Sequence, residues 1–261
     1  MDKEFECKGC SKEAINKVPV LRVINRLDEF FAKNDLAGAA ELLCYWSAEA
    51  QRIGDKRGLL TVLNEQIGLY RRTAEIDKGM AAIVTALDII KEQNLTRGES
   101  VGTVYINIAT TLKAFGDTEG AMKYYNTAEQ IFNLTANIND YKKAALLNNM
   151  ASAYSEIKSY EKAEQNYTTA IGILKKHPEH YGEVAVTYVN LAHLYESMGK
   201  ETDLILKTIE RAIEFLNKSE DKNSGNYACV CTKCAPSFEY FGFEKEGNYF
   251  AAEAERIYAG N

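Results

Sequence analysis

The sequence predicts an all-α fold, a solenoid of six helix pairs, and three observations lead to that prediction. Only three prolines occur among 261 residues, which permits long uninterrupted helices. Apolar residues make up 46% of the chain and recur at helical spacing between polar or turn-forming stretches. The third observation is an internal repeat of 42 residues. A chain of this length is long for one compact core and well suited to a stack of small repeats.

The repeat shows as three columns of residues, each with a spacing of 42. The first column holds small residues: Cys44, Ala86, Ala128, Ala170, Ala212 and Ala254. The second lies seven residues earlier: Ala37, Gly79, Ala121, Ala163, Ile205 and Gly247. The third follows the first by three residues: Ser47, Ile89, Ile131, Ile173, Phe215 and Ile257. Because small side chains let two helices approach closely, these columns predict where the helices of each pair pack.

Each repeat predicts two helices joined by a turn. In the third repeat, helical spacing runs from Val104 to Phe115, breaks at Gly116-Asp117 and resumes from Ala121 to Phe132. The fourth runs from Leu147 to Ile157, turns at Lys158-Ser159 and continues from Tyr160 to Leu174. We expect a tail at 1–17 and one solenoid at 18–258, with repeats near 18–56, 57–98, 99–140, 141–181, 182–224 and 225–258.

Specific residues within the repeats resemble a known family. The third repeat has Ala109, Leu112, Gly116, Ala121, Tyr125 and Ala128, and the fourth has Ala151, Tyr154, Lys158, Ala163, Tyr167 and Ala170. This order of small and aromatic residues resembles the tetratricopeptide repeat. The period of 42 is similar to a longer-helix subgroup that includes kinesin light chains and bacterial peptide-sensing regulators. The resemblance implies a right-handed superhelix. The first repeat departs from it at Asn25 and Asp28, which we interpret as a polar terminal cap.

The resemblance also implies a binding face, because in this family the first helix of each pair lines a concave groove. The sixth position of each repeat would face it: Val23, Glu65, Asn107, Asn149, Asn190 and Lys233. A primary amide carries both donors and an acceptor, so the three asparagines could pair with the backbone of an extended peptide. The alternative is that they bond to a neighbouring helix.

Other groove positions in the first three repeats are basic: Arg22, Arg26, Arg71, Arg72 and Lys113. Arginine pairs with carboxylates bidentately, so these residues favour an acidic partner. A solvated face whose arginine stems cover apolar surface is the alternative. Asn148 and His193 lie at groove positions of later repeats. The predicted peptide-binding residues are Asn107, Asn149, Asn190, Arg71, Arg72, Lys113, Asn148 and His193.

Composition argues against several classes of function. The net charge of −6 and pI near 5.3 argue against nucleic acid as a partner. The N-terminus lacks the apolar stretch of a signal peptide, and the longest apolar run, Met80 to Leu87, is too short to cross a bilayer. We therefore expect a cytoplasmic protein with no membrane partner and with reduced cysteines.

The cysteines carry the clearest alternative chemistry. Cys7 and Cys10 have the spacing of a zinc knuckle, and Cys229, Cys231 and Cys234 could in principle add ligands. Cys231 and Cys234 fall at core positions of the repeat, however, where a thiol acts as a small hydrophobe. We expect structural thiols, no bound metal and no cofactor. No phosphate loop, paired metal-ligand motif or nucleophile elbow is present, so we expect no enzymatic activity.

The function predicted is that of a scaffold that holds a protein or a peptide. The main alternative is self-association through the C-terminal helix, which would expose Phe250 and Tyr258 and form a homodimer. A zinc-dependent module is a third hypothesis.

Overall fold

The structure, a computed structural model, describes residues 16–259. Within that range the chain forms twelve α-helices and a single 3₁₀ turn, with no strand, which confirms the all-α prediction. The helices are α1 (Val20–Ala32), α2 (Leu36–Ile53), α3 (Lys56–Thr73), α4 (Ile76–Glu92), α5 (Glu99–Ala114), α6 (Thr118–Leu134), α7 (Asp140–Glu156), α8 (Tyr160–Leu174), α9 (Tyr181–Ser197), α10 (Thr202–Asn217), α11 (Gly225–Tyr240) and α12 (Glu244–Ala259). The 3₁₀ turn, Pro178–His180, precedes α9.

These helices form six consecutive pairs, and they divide into two compact units between Thr96 and Arg97. The N-terminal unit holds α1 to α4, and the C-terminal unit holds α5 to α12. Of the predicted tail, only Asn16 and Lys17 lie among the described residues. One continuous solenoid over 18–258 stays a prediction.

Side-chain caps and left-handed turn residues fix where several helices begin and end. The Asp117 carboxylate accepts a hydrogen bond from the Gly120 backbone N–H (2.8 Å), and Asp35 and Asp55 cap α2 and α3 in the same way. Gly116, immediately before Asp117, has φ +94°, which glycine adopts without strain. The predicted break at Gly116-Asp117 is confirmed.

The predicted column of small residues is the packing contact of the C-terminal unit. Ala128, Ala170 and Ala212 are fully buried there. At Gly247, in the last pair, a Cβ atom would lie only 3.0 Å from the Ala235 carbonyl oxygen. The two helices of this pair approach so closely that a larger residue than glycine would force a shift. The spacing of 42 therefore describes the second helices of this unit correctly.

The N-terminal unit follows a different register. Ala37 and Cys44, the first members of two predicted columns, are exposed, and α2 instead buries Ala39, Leu43 and Ala50. The residue before α2 is Asp35 and the residue before α4 is Glu75, which is a spacing of 40, whereas Asp117 follows Glu75 by 42. The prediction that all six repeats share one register is wrong for the first.

The carboxylate of Glu41 explains why α2 follows a different register. In the 42-residue register, Glu41 would occupy the position that holds buried Ile83 in α4 and Tyr125 in α6. Burying an unpaired carboxylate costs far more than burying a leucine gains. The helix therefore presents Leu43 to the core and leaves Glu41 exposed.

The corrected register changes the interpretation of α1. Val23 and Leu27 are its buried residues, so Val23 is not a groove residue as predicted. Asn25 takes the equivalent of the sixth position, and Phe30 the position of Tyr70 in α3. Asn25 and Asp28 are exposed. These two residues depart from the family pattern only when the first repeat is aligned with a spacing of 42. With a spacing of 40, the first repeat keeps an apolar core.

Of the two aromatic side chains of α12 that the sequence predicts to be exposed, only one lies on the surface. Phe250 is 1% exposed and packs on Phe238, with 5.7 Å between ring centroids, so the prediction that it lies on the surface is wrong. Tyr258 is exposed as predicted. The face of α12 that corresponds to buried Met122, Tyr125 and Phe132 of α6 carries Asn248, Ala251 and Tyr258. This more polar face gives little support to self-association through α12.

Two of the three cysteines of α11 are core residues, as predicted. Cys231 and Cys234 are fully buried, and burial raises the pKa of the Cys231 thiol to about 11 and that of Cys234 further. Cys7 and Cys10 lie outside the described residues. Within residues 16–259, no group of three or more His, Cys, Asp or Glu side chains could hold a metal ion. In the same range, no helix combines the length and the apolar character needed to cross a membrane.

Partial burial of the Glu65 carboxylate in the N-terminal unit is unfavourable for its charged form. Glu65 of α3 is half-buried, and burial raises the pKa of its carboxyl, with a smaller contribution from the Asp28 carboxylate. The hydrogen bond that Asn64 Nδ2 donates to Glu65 Oε1 (3.0 Å) offsets part of this. A group whose folded pKa is raised contributes most to stability below its unfolded pKa, and that contribution is lost as pH rises.

We expect Glu65→Gln to raise the melting temperature at pH 7, because the amide keeps the acceptor for Asn64 and removes the buried charge. Circular dichroism melts should show the difference shrinking as pH falls toward 4, where the wild-type carboxyl is protonated too. Glu41→Gln, at an exposed carboxylate, serves as the control. A difference that does not change with pH would contradict this account.

We expect Phe250→Ala to lower the free energy of unfolding by about 3–5 kcal/mol, since it leaves a cavity against Phe238. Tyr258→Ala on the same helix should change it by less than about 0.5 kcal/mol. Urea denaturation of the whole chain measures both. Equal effects of the two changes would show that Phe250 is not a core residue.

Candidate functional site

The first helices of the last four pairs, α5, α7, α9 and α11, contact one another in sequence within the C-terminal unit. We call the surface that they form the first-helix face. It is built mainly from amide and hydroxyl side chains between the ridges of buried apolar residues. This face contains most of the residues that the sequence predicts to bind a ligand.

Three asparagines follow one another across this face at equivalent positions of adjacent helices. Asn107 lies on α5, Asn149 on α7 and Asn190 on α9, and each is half-buried. Asn107 has an interaction of its own within the protein. The Asn149 and Asn190 side chains make no hydrogen bond to any other described residue. We call the three residues the asparagine row. Its last two amides are available to a ligand.

Asn148, also predicted to bind, connects two helices. Its Nδ2 donates a hydrogen bond to Thr187 Oγ1 on α9 (2.9 Å), and its Oδ1 is buried without a partner. The alternative considered for the asparagines, bonding to a neighbouring helix, therefore describes Asn148. Asn149 and Asn190, which belong to the asparagine row, make no such bond to a described residue.

Lys113 and His193 are likewise engaged across helices. Lys113 Nζ lies 2.5 Å from Glu156 Oε1, which joins α5 to α7. His193 Nε2 lies 3.0 Å from Ser237 Oγ, which joins α9 to α11. Its Nδ1 lies 3.6 Å from Glu196 Oε2 one turn further along α9. Both predicted residues are on the first-helix face, but each already has partners.

The Lys113–Glu156 pair belongs to a contact that recurs along the chain. The residue at the twelfth position of one repeat meets the residue at the thirteenth position of the next. Lys113 meets Glu156 in this way, and Glu196 Oε1 accepts a hydrogen bond from the Tyr240 hydroxyl (2.8 Å), which raises the pKa of Tyr240. Sequence reasoning missed Glu156 and Tyr240, although a spacing of 43 or 44 residues between polar partners was a signal for both.

The same contact occurs within the N-terminal unit, where the Arg72 guanidinium lies 5.6 Å from the centre of the Phe31 ring. Arg72 Nη2 also donates to Asn34 Oδ1 (3.1 Å). Arg71 is half-buried and has its own partner. Both predicted arginines lie on α3 and each has a partner.

An acidic cavity of about 270 Å³ lies in the C-terminal unit beside the start of α9 and the loop before α11. Glu179, Glu183, Glu220 and Asp221 contribute to its wall. The Glu183 Oε2 and Tyr227 hydroxyl atoms near it have no hydrogen-bond partner, but both are inaccessible to solvent and so cannot contact an occupant. Glu183 lies in the first turn of α9 and Glu179 in the 3₁₀ turn before it, where the helix dipole stabilises a carboxylate, and this accounts for the position of these two.

Comparison with known proteins supports the fold. Residues 100–176 match the family model of the tetratricopeptide repeat. No curated protein sequence matches the chain. A Rap protein complexed with competence and sporulation factor has a TM-score of 0.64 and 16% identity, over 97% of this chain and 78% of that one.

Two further solved structures are similar. Repeats from a Podospora anserina protein assigned as a kinesin light chain have a TM-score of 0.55 and 15% identity, over 77% of this chain and 95% of that one. The apo quorum sensor NprR from B. thuringiensis has a TM-score of 0.53 and 14% identity, over 91% of this chain and 64% of that one. At these identities the likeness shows the fold alone. Residues 100–176 match the tetratricopeptide repeat, and the chain has the fold of the tetratricopeptide-repeat proteins.

Proposed function

We propose that this chain is a non-enzymatic scaffold that binds an extended protein or peptide segment on the first-helix face of the C-terminal unit. The observation that carries the proposal is the asparagine row, in which Asn149 and Asn190 present amides that no other described side chain uses. Each amide can accept from a backbone N–H and donate to a backbone carbonyl of the ligand. A Rap protein that shares the fold is complexed with competence and sporulation factor, and this supports a bound partner here as well.

The fixed framework around the row also supports binding. The asparagines stand on helices that are joined by Lys113–Glu156 and by Asn148–Thr187, so the spacing between them is held before a ligand arrives. Preorganisation of this kind lowers the entropic cost of binding. Half-burial further restricts the amide rotamers without covering them.

The proposal does not extend to an acidic ligand. That hypothesis depended on five basic residues, and each has a partner within the protein: Arg22, Arg26, Arg71, Arg72 and Lys113. An acidic group would have to displace Glu156 from Lys113 to gain its charge. The alternative, a solvated face whose arginine stems cover apolar surface, agrees with the position of Arg72 over the Phe31 ring and of Arg26 over the Phe30 ring.

We expect the double change Asn149→Ala and Asn190→Ala to weaken peptide binding about tenfold or more, since each lost hydrogen bond is worth about 1 kcal/mol. Peptides selected on the wild-type chain from a phage-displayed linear library would be synthesised with a fluorophore, and their affinity measured by anisotropy. The melting temperature should stay close to that of wild type, because neither amide supports another side chain.

Asn126→Ala with Asn133→Ala is the matched control, since it removes two exposed amides from the second helix α6. That variant should bind as tightly as wild type. A library that yields no binder, or equal affinities for both double variants, would refute binding at this face.

A further inference from the structure

Several charged side chains of the first-helix face are satisfied by partners on the protein, whereas exposed Lys233 on α11 makes no ion pair with a described residue. Lys113 is paired with Glu156, and Glu196 accepts a hydrogen bond from the Tyr240 hydroxyl while its second oxygen faces His193. A charged ligand side chain placed beside Lys113 or Glu196 would lose hydration without meeting an unpaired counter-charge. The parts of the face around these two residues therefore disfavour charged side chains of a ligand.

Next to the asparagine row stands a cluster of three rings. Tyr240 lies at the end of α11 and is 64% exposed. Its ring centroid is 4.9 Å from that of Phe241, in an edge-on contact, and 5.8 Å from that of His193. The His193 and Phe241 centroids are 4.8 Å apart. We call these three residues the aromatic shelf.

The shelf is continuous with the row. Asn190 and His193 are three residues apart on α9, which places them on the same side of that helix one turn apart. A segment that pairs its backbone with Asn190 would therefore bring a neighbouring side chain over the shelf. Successive side chains of an extended segment are close enough together for both contacts to occur at once.

The polar atoms of the shelf are already used. The Tyr240 hydroxyl is bonded to Glu196, and His193 Nε2 is within hydrogen-bond distance of Ser237 Oγ. What the shelf offers to a ligand is ring surface, held in place by those bonds. A large exposed tyrosine that is already ordered loses little entropy on binding, and such residues commonly dominate binding energy.

We propose that the aromatic shelf is the specificity anchor of the first-helix face, and that it receives an apolar or aromatic side chain from an extended peptide segment. This inference rests on the proposed function, because the asparagine row must hold the backbone of the same segment. In this proposal Tyr240 and its neighbours select the ligand side chain, whereas Asn149 and Asn190 bind the ligand backbone.

The test uses the full chain and a positional-scanning library of fluorescent linear peptides, blocked at both ends. We expect Phe, Trp or Leu to be enriched at one position of the peptides that bind wild type. Tyr240→Ala should abolish the enrichment and weaken the best peptide about tenfold. Tyr240→Phe keeps the ring and loses the bond to Glu196, so it should weaken that peptide less than Tyr240→Ala does.

Tyr258→Ala, which removes another exposed tyrosine from α12, is the matched control and should bind as wild type does. Melting curves of all variants confirm that the chain still folds. If Asn149→Ala with Asn190→Ala weakens binding but Tyr240→Ala does not, the shelf is not the anchor and the proposed function stands. If no library peptide binds wild type, both fail.

Enrichment of charged residues at the anchored position, whether basic side chains over the Tyr240 ring or acidic ones, would overturn the proposal. Light scattering of the wild-type chain tests another occupant. A dimer that dissociates on Tyr240→Ala would show that the shelf receives a second copy of this chain, and that result would also overturn it.

Discussion

The close approach of the two helices within each pair is the constraint on which the rest of the structure depends. Where α11 and α12 meet, even a Cβ atom at Gly247 would crowd the backbone of the facing helix. In earlier pairs, fully buried alanines allow the same close approach of the two helices. Because this contact allows only small residues, it sets which face of each second helix turns inward and which face of each first helix is left for solvent and for a ligand.

The contacts between successive first helices follow from that placement. Once the pairs stack, the twelfth position of one repeat lies beside the thirteenth of the next, and the chain fills that pair with an ion pair, a hydrogen bond or a cation over a ring. Single surface ion pairs contribute little to stability. Their effect here is geometric, since they fix neighbouring helices in register and use up charges that would otherwise be available to a ligand.

The asparagine row and the aromatic shelf show how one helix can carry two kinds of recognition. Asn190 and His193 share a face of α9, so an amide for backbone pairing and a ring for side-chain packing stand one turn apart. The amide is free of other bonds, whereas the polar atoms of the shelf are engaged and leave only ring surface. Backbone pairing is tolerant of sequence, and ring surface is selective for apolar side chains, so the two contacts divide affinity from specificity.

The sequence by itself determined the all-α class, the pairing of helices, the buried cysteines of α11 and the position of the asparagine row, because all of these follow from the spacing of small and apolar residues. It did not determine the register of α2, where one carboxylate, Glu41, outweighed an alignment of small residues. It also misplaced Phe250, since exposure at a helix surface depends on what packs there. Only the tertiary structure decided which predicted groove residues are already bonded. Partners such as Glu156, Thr187 and Ser237 stand on other helices, roughly forty residues away, and their proximity is a consequence of stacking that no local pattern contains.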